Sequence, residues 1–230
     1  MSVKGYKAFN KGMICRGKQY EENTTYEESG NEICEAGVMH FCENPFDVLG
    51  YYPLVNENGE VSEFAEVEPL GKIFTKGNKS ATNKLHIKAK LGLKGFIKAC
   101  VDFTLEKTKI EEIEDGIEND NGNNSAKIGS SGDYAQIGSS GDYAQIGSSG
   151  DSAQIGSSGY SAQIGSSGDY AQIGSSGDYA QIGSSGDYAK ITSKGKNSVV
   201  MAAGGNSIAK AKIGSWITTE LLPLDVSFAE

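Results

Sequence analysis

Long apolar segments are absent from this sequence, and cysteine is scarce. No run of 18 apolar residues occurs, so no transmembrane helix is predicted, and the opening MSVKGYKAFN lacks the apolar segment of a signal peptide. The four cysteines, Cys15, Cys34, Cys42 and Cys100, are irregularly spaced and form no Cys-x-x-Cys pair, and an even number alone does not establish disulfides. These absences predict a cytoplasmic protein with reduced thiols.

A basic stripe for nucleic acid is also missing. Lys and Arg total 21 against 30 Asp and Glu, which gives a formal net charge of −9. Direct binding of nucleic acid is therefore not predicted. An acidic chain instead attracts basic partners, including proteins that themselves bind nucleic acid.

The composition changes sharply near residue 119. The residues before it are aperiodic and include aromatics, whereas nearly identical nine-residue units follow. The acidic, polar segment between them has little to bury and is interpreted as a linker. We therefore predict a head domain over residues 1–110, a linker over 111–124, repeats over 125–218 and a C-terminal cap over 219–230.

The repeat has the pattern of a short strand followed by a corner. Isoleucine recurs every nine residues from Ile128 to Ile191, and an alanine lies two residues before each one. In YAQI the small and large apolar residues alternate with polar ones, and GSSGD then supplies turn-forming residues. A helix is excluded because each unit would place two glycines in it. Stacked units would bury their Ala and Ile side chains together, which predicts a β-solenoid.

The number of units in one coil follows from the thin core. Two units would give a flat coil of 18 residues and three a triangular coil of 27, and the small Ala and Ile interior favours two. Coils would stack about 4.8 Å apart, and the preference of parallel crossovers predicts a right-handed solenoid. The units after Ile191 diverge, as expected of terminal repeats that shield an open edge.

An 18-residue coil would align Asp and Tyr in rows along the solenoid. Tyr160 is expected to interrupt one Asp row, and Ser152 and Ser161 are expected to interrupt the two Tyr rows. The predicted binding surface consists of these residues: Asp133, Asp151, Asp169 and Asp187 in one Asp row, Asp142, Tyr160 and Asp178 in the other, Tyr134, Tyr170 and Tyr188 on one side, and Tyr143 and Tyr179 on the other.

The Asp rows admit several functions. The unit resembles the nonapeptide of calcium-binding β-rolls in length and in Gly and Asp content, but its ligand spacing differs, and the alternative is that Asp binds turn amides. An acidic, regularly spaced surface could imitate a nucleic-acid backbone, or Asp could simply keep a flat β surface soluble. Ice binding through flat arrays lacks the usual Thr rows. No metal is predicted.

The region before the repeats predicts an α+β domain. YKAF, AEVEPLGKIF and KLHIKAKL alternate as strands. Asn44 is a candidate N-cap with Pro45 in the first helical turn, and residues 93–108 are predicted as a helix with Phe96, Ile97, Ala99 and Cys100 on its apolar side. The predicted fold class is an α+β head followed by an all-β solenoid.

Several short motifs of the head carry a family resemblance: Gly5-Tyr6-Lys7-Ala8-Phe9, Arg16-Gly17, Gly37, His40-Phe41-Cys42, Asn44-Pro45, Asp47-Val48-Leu49, Tyr51-Tyr52 and Phe64-Ala65-Glu66-Val67. By these motifs the head resembles an uncharacterised domain family found widely in phages, prophages and bacteria. The resemblance covers roughly residues 3–95, and it implies an origin in a mobile element without implying an activity. A phage-encoded chain would lie in the host cytoplasm.

A second resemblance concerns catalysis. GVMHFCENPFDVLGYY (37–52) is similar to a strand-to-helix segment of ADP-ribosyltransferases. By that resemblance Arg16 or His40, with one glutamate, would supply a site for a nicotinamide dinucleotide, the candidates being Glu63, Glu66 and Glu68. Alternatively, His40 and the aromatics form a core or edge patch, and the glutamates lie on solvated strand faces.

Zinc binding is the remaining chemical hypothesis for the head. Cys15, Cys34, His40 and Cys42 could hold a zinc ion, or the cysteines are buried free thiols. Taking these alternatives together, we predict no catalysis, no metal and no cofactor.

The resulting functional expectation is a phage-type binding protein. Its acidic solenoid would inhibit a host protein that acts on nucleic acid, such as a defence complex of the CRISPR type. Exposed terminal edges also allow a homodimer. The alternatives are an ADP-ribosyltransferase-like enzyme with a repeat appendage for targeting, and a structural or self-associating spacer.

Overall fold

The computed structural model describes residues 3–30, 37–108, 117–119 and 122–219. The chain divides into two compact units, Met1–Cys100 and Val101–Glu230. The described part of the predicted linker includes a strand, Ile117–Asn119, that pairs within the solenoid. Of the predicted cap, only Thr219 lies among the described residues. None of the helices in the described part of the chain is long and apolar enough to cross a membrane.

The first unit combines antiparallel strands with short helices. A four-stranded sheet has the order β1-β6-β9-β4, a three-stranded sheet has the order β5-β8-β7, and β2 and β3 form a hairpin. The strands are β1 (Gly5–Phe9), β2 (Ile14–Cys15), β3 (Lys18–Gln19), β4 (Thr24–Glu27), β5 (Met39–Phe41), β6 (Glu63–Pro69), β7 (Ile73–Lys76), β8 (Lys79–Thr82) and β9 (Lys84–Leu91).

Two helices complete the predicted α+β pattern. The helix predicted after Asn44 is a 3₁₀ helix, Pro45–Gly50, and the Asn44 side chain accepts a hydrogen bond from Phe46 N at 3.0 Å, as an N-cap does. The second is α1 (Leu93–Lys107), which confirms the predicted helix. Within the first unit the Phe96 ring stacks on Phe64 with centroids 3.8 Å apart.

The second unit contains two parallel six-stranded sheets. The first solenoid sheet contains β10 (Ile117–Asn119), β12 (Gln136–Ser139), β14 (Gln154–Ser157), β16 (Gln172–Ser175), β18 (Lys190–Ser193) and β20 (Ile208–Ala211). The second solenoid sheet contains β11 (Lys127–Ser130), β13 (Gln145–Ser148), β15 (Gln163–Ser166), β17 (Gln181–Ser184), β19 (Val199–Ala202) and β21 (Trp216–Thr219).

Each coil contains two repeat units, as the thin core predicts. Ile137 pairs with Ile155 and Ile146 with Ile164, so identical residues 18 positions apart align in register. The diverged units keep this register, because Val200 pairs with Ile182. The predicted β-solenoid is therefore confirmed through the last described strand.

The solenoid core contains one residue type that the sequence analysis did not place there. Ala and Ile face inward as predicted, and Ile146 and Ile164 are fully buried. The alternation continues into GSSGD, so the first serine of each repeat also faces inward. Ser148, Ser166 and Ser184 are completely buried, and their hydroxyl groups have no hydrogen-bond partner among the described residues.

Candidate functional site

The Asp side chains of the solenoid bind the backbone of the next coil. Asp133 Oδ1 accepts a hydrogen bond from Asp151 N at 2.9 Å, and Asp151 Oδ1 accepts one from Asp169 N at 2.8 Å. The same contact joins Asp142 to Tyr160 N at 2.8 Å. The interpretation that Asp binds turn amides is thereby confirmed. Among the described residues no group of three or more His, Cys, Asp and Glu side chains could hold a metal ion.

Asp151→Ala is expected to lower the free energy of unfolding by about 1–2 kcal/mol, because Asp169 N loses its acceptor. Asp151→Asn keeps an acceptor oxygen and should unfold like the wild type. An asparagine already makes this contact in the chain, since Asn124 Oδ1 accepts a hydrogen bond from Asp142 N at 3.0 Å. Urea unfolding followed by the fluorescence of Trp216 measures both variants, and equal stability of Ala and Asn variants would contradict the assignment.

Tyrosine rings extend from the two edges where the solenoid sheets meet. We name the edge with Tyr134, Tyr170 and Tyr188 the first corner, and the edge with Tyr143, Tyr160 and Tyr179 the second corner. All six side chains are exposed, and Tyr134 is the most exposed at 75%. Four predicted Asp residues (Asp133, Asp151, Asp169 and Asp187) accompany the first corner, and Asp142 and Asp178 accompany the second. The structure therefore places the predicted binding-surface residues on these two edges.

The ring of Tyr160 corrects one expectation. Its backbone occupies the position of an Asp in the row, as predicted. Its ring, however, contacts Tyr143 and Tyr179, with centroids 5.8 and 5.2 Å away. It thus fills the gap that Ser161 was expected to leave, because a long side chain from the neighbouring residue reaches the same space. The second corner is a continuous row of three rings.

Five of the tyrosines adopt a backbone conformation that bulky residues rarely take. Tyr134, Tyr143, Tyr170, Tyr179 and Tyr188 have φ between 55° and 59°. The left-handed region costs about 1–2 kcal/mol for an L-residue, and Asn tolerates it better. The diverged units place Asn197 and Asn206 at the equivalent corner positions. Serine takes the same conformation at Ser152 and Ser161. The five tyrosines thus occupy positions that the backbone does not favour for a bulky residue, and such outliers concentrate at functional sites.

Tyr134→Asn is expected to raise the free energy of unfolding by about 1 kcal/mol, because it relieves the left-handed strain. Tyr134 has no ring partner among the described residues that would be lost. Tyr160→Asn is the control, since the φ of Tyr160 is not positive, and it should give no gain. Urea unfolding compares the two, and a gain in both or in neither would contradict the strain.

The acidic part of the solenoid is limited in length. The six predicted Asp residues lie between residues 133 and 187. The coils after them carry exposed lysines, namely Lys190, Lys194, Lys196, Lys210 and Lys212. In the second corner Lys196 takes the position after Asp178, and in the first corner the uncharged Gly205 takes the position after Asp187. The acidic surface therefore belongs to the consensus units alone.

A separate cavity of about 400 Å³ lies within the first unit. Arg16, His40 and Lys79 line it together with Tyr51 and Tyr52. Its volume is within the range of small-molecule sites. The sequence analysis singled out Arg16 and His40, and the structure does bring these two residues to one cavity.

Buried basic groups set the electrostatics of this cavity. Lys7 is 5% exposed, and its Nζ donates a hydrogen bond to the backbone oxygen of His40 at 2.9 Å. Burial lowers the pKa of Lys7. Burial, together with the positive charges of Lys79, Lys7 and Arg16, lowers the pKa of His40 to about 4. The imidazole is therefore neutral at pH 7.

The three candidate catalytic glutamates lie elsewhere, paired with lysines. Glu63 contacts Lys90 Nζ at 2.7 Å, and Glu66 contacts Lys4 Nζ at 2.9 Å. Lys88 Nζ lies 3.2 Å from Glu66 and 3.5 Å from Glu68. None of the three lines the cavity of Arg16 and His40. All three occupy partly exposed positions of β6, in agreement with the alternative interpretation of glutamates on solvated strand faces.

The stability of the head is expected to fall as the pH drops from 6.5 to 4. In this window the unfolded chain protonates His40 near its ordinary pKa of 6.5, whereas the folded state keeps it neutral until about pH 4. Because His40 is only partly buried, we expect a loss of about 1 kcal/mol. His40→Gln should reduce this loss and His86→Gln should not, as measured by thermal unfolding in a pH series. An unchanged pH profile in His40→Gln would contradict the burial of a neutral imidazole.

The described cysteines are free thiols. Cys15, Cys42 and Cys100 are buried and unpaired by disulfides, and Tyr52 Oη donates to Cys15 Sγ at 3.2 Å. Burial raises the pKa of Cys42 to about 12, so the thiol is protonated at neutral pH. Cys34 lies outside the described residues. The interpretation as buried free thiols is confirmed for the three described residues.

The comparisons with known proteins concern the first unit. Residues 3–99 match the model of a family described as a domain of unknown function, DUF7666. This match agrees with the resemblance of residues 3–95 to an uncharacterised domain family. No curated protein and no solved structure matches the chain.

Proposed function

We propose that this chain is a non-catalytic binding protein of phage or prophage origin. Its solenoid corners bind a host protein that acts on nucleic acid, such as a defence complex of the CRISPR type, and inhibit it. The observation that carries the proposal is the set of exposed tyrosines held at positive φ beside the Asp rows. The origin rests on the resemblance of the head to a domain family of phages and prophages.

The tyrosines provide the contact area of the proposed interface. Tyr is enriched among the residues that dominate binding energy, because it buries a large ring with few rotatable bonds. Tyr170 and Tyr188 stack with centroids 4.9 Å apart, so their rings are ordered before a partner arrives. Tyr134 gains no such contact within the described chain, and a partner would supply it.

The Asp rows provide the selectivity for a basic partner. Asp133, Asp151, Asp178 and Asp187 are exposed although one oxygen of each binds the backbone of the next coil. The carboxylates of one row recur about every 4.8 Å along the solenoid axis. A surface that binds nucleic acid is basic and meets regularly spaced phosphates. A partner of this class would therefore find negative charge and aromatic faces on one edge.

An ADP-ribosyltransferase-like activity is the weaker alternative. The three glutamates that the resemblance suggests, Glu63, Glu66 and Glu68, do not line the cavity of Arg16 and His40 and pair with lysines instead. The glutamate that does line it, Glu28, forms an ion pair with Lys18. A structural spacer would not require tyrosine at strained positions, where the diverged units use asparagine.

Capture from a bacterial lysate with three matched baits tests the proposal. The first bait is the full chain. The second carries Asn at the six row Asp residues, which keeps the acceptors of the coil-to-coil hydrogen bonds and removes six charges. The third carries Asn at the five strained tyrosines, which the backbone accepts. All three should unfold with at least the stability of the wild type, so a loss of capture reports on binding.

The expected result is a nucleic-acid-binding protein that the full chain retains at low salt. The full chain should release it at moderate salt, because salt screens the charge attraction. The Asp→Asn bait, which lacks the row charges, and the Tyr→Asn bait should capture less of it already at low salt. Equal capture by all three baits, or capture of only proteins without affinity for nucleic acid, would overturn the proposal.

A further inference from the structure

Two glycine rows of the same local sequence lie on opposite faces of the solenoid. We name Gly129, Gly147 and Gly165 the covered glycine row, and Gly138, Gly156 and Gly174 the open glycine row. Each glycine faces outward in a strand with the sequence QIGS or KIGS. The covered row belongs to the second solenoid sheet and the open row to the first. The repeat thus presents the same glycine-lined strand surface on both faces of the solenoid.

The end of α1 lies on the covered glycine row. A Cβ added to Gly129 would overlap the backbone oxygen of Thr108, and one added to Gly147 would overlap Thr108 Oγ1. A Cβ on Gly165 would come within 3.0 Å of Thr104 Cβ and 3.3 Å of Val101 Cα. Only glycine permits this approach of a helix to the sheet.

The spacing of the contacts explains why a helix fits. Val101, Thr104, Leu105 and Thr108 are spaced i, i+3, i+4 and i+7, which places them on one helix face. The helix pitch of about 5.4 Å is close to the coil spacing of about 4.8 Å. A helix that runs along the solenoid axis therefore meets about one glycine with each turn.

The open glycine row has the same geometry without a covering element among the described residues. Added Cβ atoms on Gly156 and Gly174 would find no atom closer than 4.0 Å, the nearest being the backbone oxygens of Ile137 and Ile155. Gly156 and Gly174 are exposed, whereas Gly147 and Gly165 are buried. A groove of about 850 Å³ follows the row and ends at Thr192 and Lys194.

We infer that the open glycine row is a docking site for an α-helix of the partner protein. This inference rests on the proposed binding function and names the element that the partner supplies. The groove is lined by uncharged Gly, Ser and Thr up to Lys194, and the two corners with their Asp rows connect to the two ends of the strands in the first solenoid sheet. The matching helix has small or β-branched residues at i, i+3 and i+7 and Lys or Arg on both flanks. Val101, Thr104 and Thr108 of this chain are the intramolecular example of the small face.

A peptide of the chain's own helix is the probe. It comprises residues 93–108 with Cys100→Ser and a lactam bridge between the side chains at 98 and 102, because a free helix of this length is marginal in water. It is titrated into the ¹⁵N-labelled full chain and followed by the amide signals of Gly156 and Gly174. A second peptide with Thr104→Trp and Thr108→Trp is too bulky for close approach and is the control.

The expected result is a saturable shift of the Gly156 and Gly174 signals, with no shift by the tryptophan peptide. Gly156→Val with Gly174→Val should weaken binding of the first peptide at least tenfold. No shift at these glycines, or an unchanged affinity of the double variant, overturns the inference even if the corners capture a partner.

Two other occupants are distinguished in the same experiment. If the peptide binds only after residues 220–230 are removed, this segment of the chain covers the row, and the inference is wrong. If sedimentation shows a dimer that Gly156→Val with Gly174→Val dissociates, a second copy is the occupant, and the inference is again wrong. A monomer whose open row binds the peptide in the full chain supports it. The corner variants test the proposed function, and the peptide titration tests the open glycine row. A corner variant that loses capture but still binds the peptide would show that the two proposals can fail separately.

Discussion

Gly168→Ala is expected to destabilise the solenoid by about 3 kcal/mol. An added Cβ at Gly168 would overlap the backbone oxygen of Gly150 in the preceding coil, which has no flexible side chain to move aside. The same overlap recurs at Gly159, Gly177 and Gly186, each with the residue 18 positions earlier. The second glycine of the repeat is therefore what allows the corners to stack.

The control for this variant is Gly174→Ala, which adds the same methyl group to the same repeat. Its Cβ would lie 4.0 Å from Ile155 O, an ordinary contact. Stability should stay close to the wild type or rise slightly, because the unfolded chain loses freedom. Urea unfolding monitored at Trp216, in β21, compares the two variants. Similar losses in both would contradict the stacking requirement.

Gly147→Val is expected to lower the free energy of unfolding by about 2–3 kcal/mol. Any side chain at this position meets Thr108 Oγ1 and Leu105, so α1 must leave the second solenoid sheet or the strand must shift. Gly156→Val introduces the same residue in an identical QIGS strand of the other sheet, where the groove is open. Valine suits a parallel strand, and this variant should lose less than about 0.5 kcal/mol.

Hydrogen exchange in the same pair of variants locates the effect. The amides of residues 101–108 should lose protection in Gly147→Val and keep it in Gly156→Val, because only the first variant displaces the helix. If the two substitutions cost the same, or if both leave the helix protected, the covered glycine row does not hold α1. The difference between the covered and the open glycine row would then have no structural basis.

The repetitive part of the fold was predictable because each unit carries the same information. Ala and Ile every nine residues indicate strands, and the small interior indicates two units in each coil, as the pairing of Ile137 with Ile155 confirms. The inward serine was missed because Ser next to Gly was assigned to a turn. The alternation from Ala through Ile to Ser was the signal that could have found it.

The contacts between distant residues were not predictable. Nothing near Thr104 and Thr108 indicates that they lie on Gly147 and Gly165, because this contact depends on the chain's return after α1. The Tyr160 side chain is likewise long enough to reach the ring of Tyr179, although its backbone stands in an Asp row. The pairing register of the coils does not show this contact. The expected handedness and the assignment of residues 219–230 to a cap remain predictions.

The most direct test of the central claim asks whether the solenoid and nucleic acid compete for one surface of the captured partner. The partner is loaded with its labelled nucleic acid, and the full chain or the six-site Asp→Asn chain is added while an electrophoretic shift is followed. We predict that the full chain displaces the nucleic acid and that the Asp→Asn chain needs at least tenfold more protein. A ternary complex, or equal displacement by both chains, would contradict the claim that the acidic, tyrosine-lined corners occupy a nucleic-acid site.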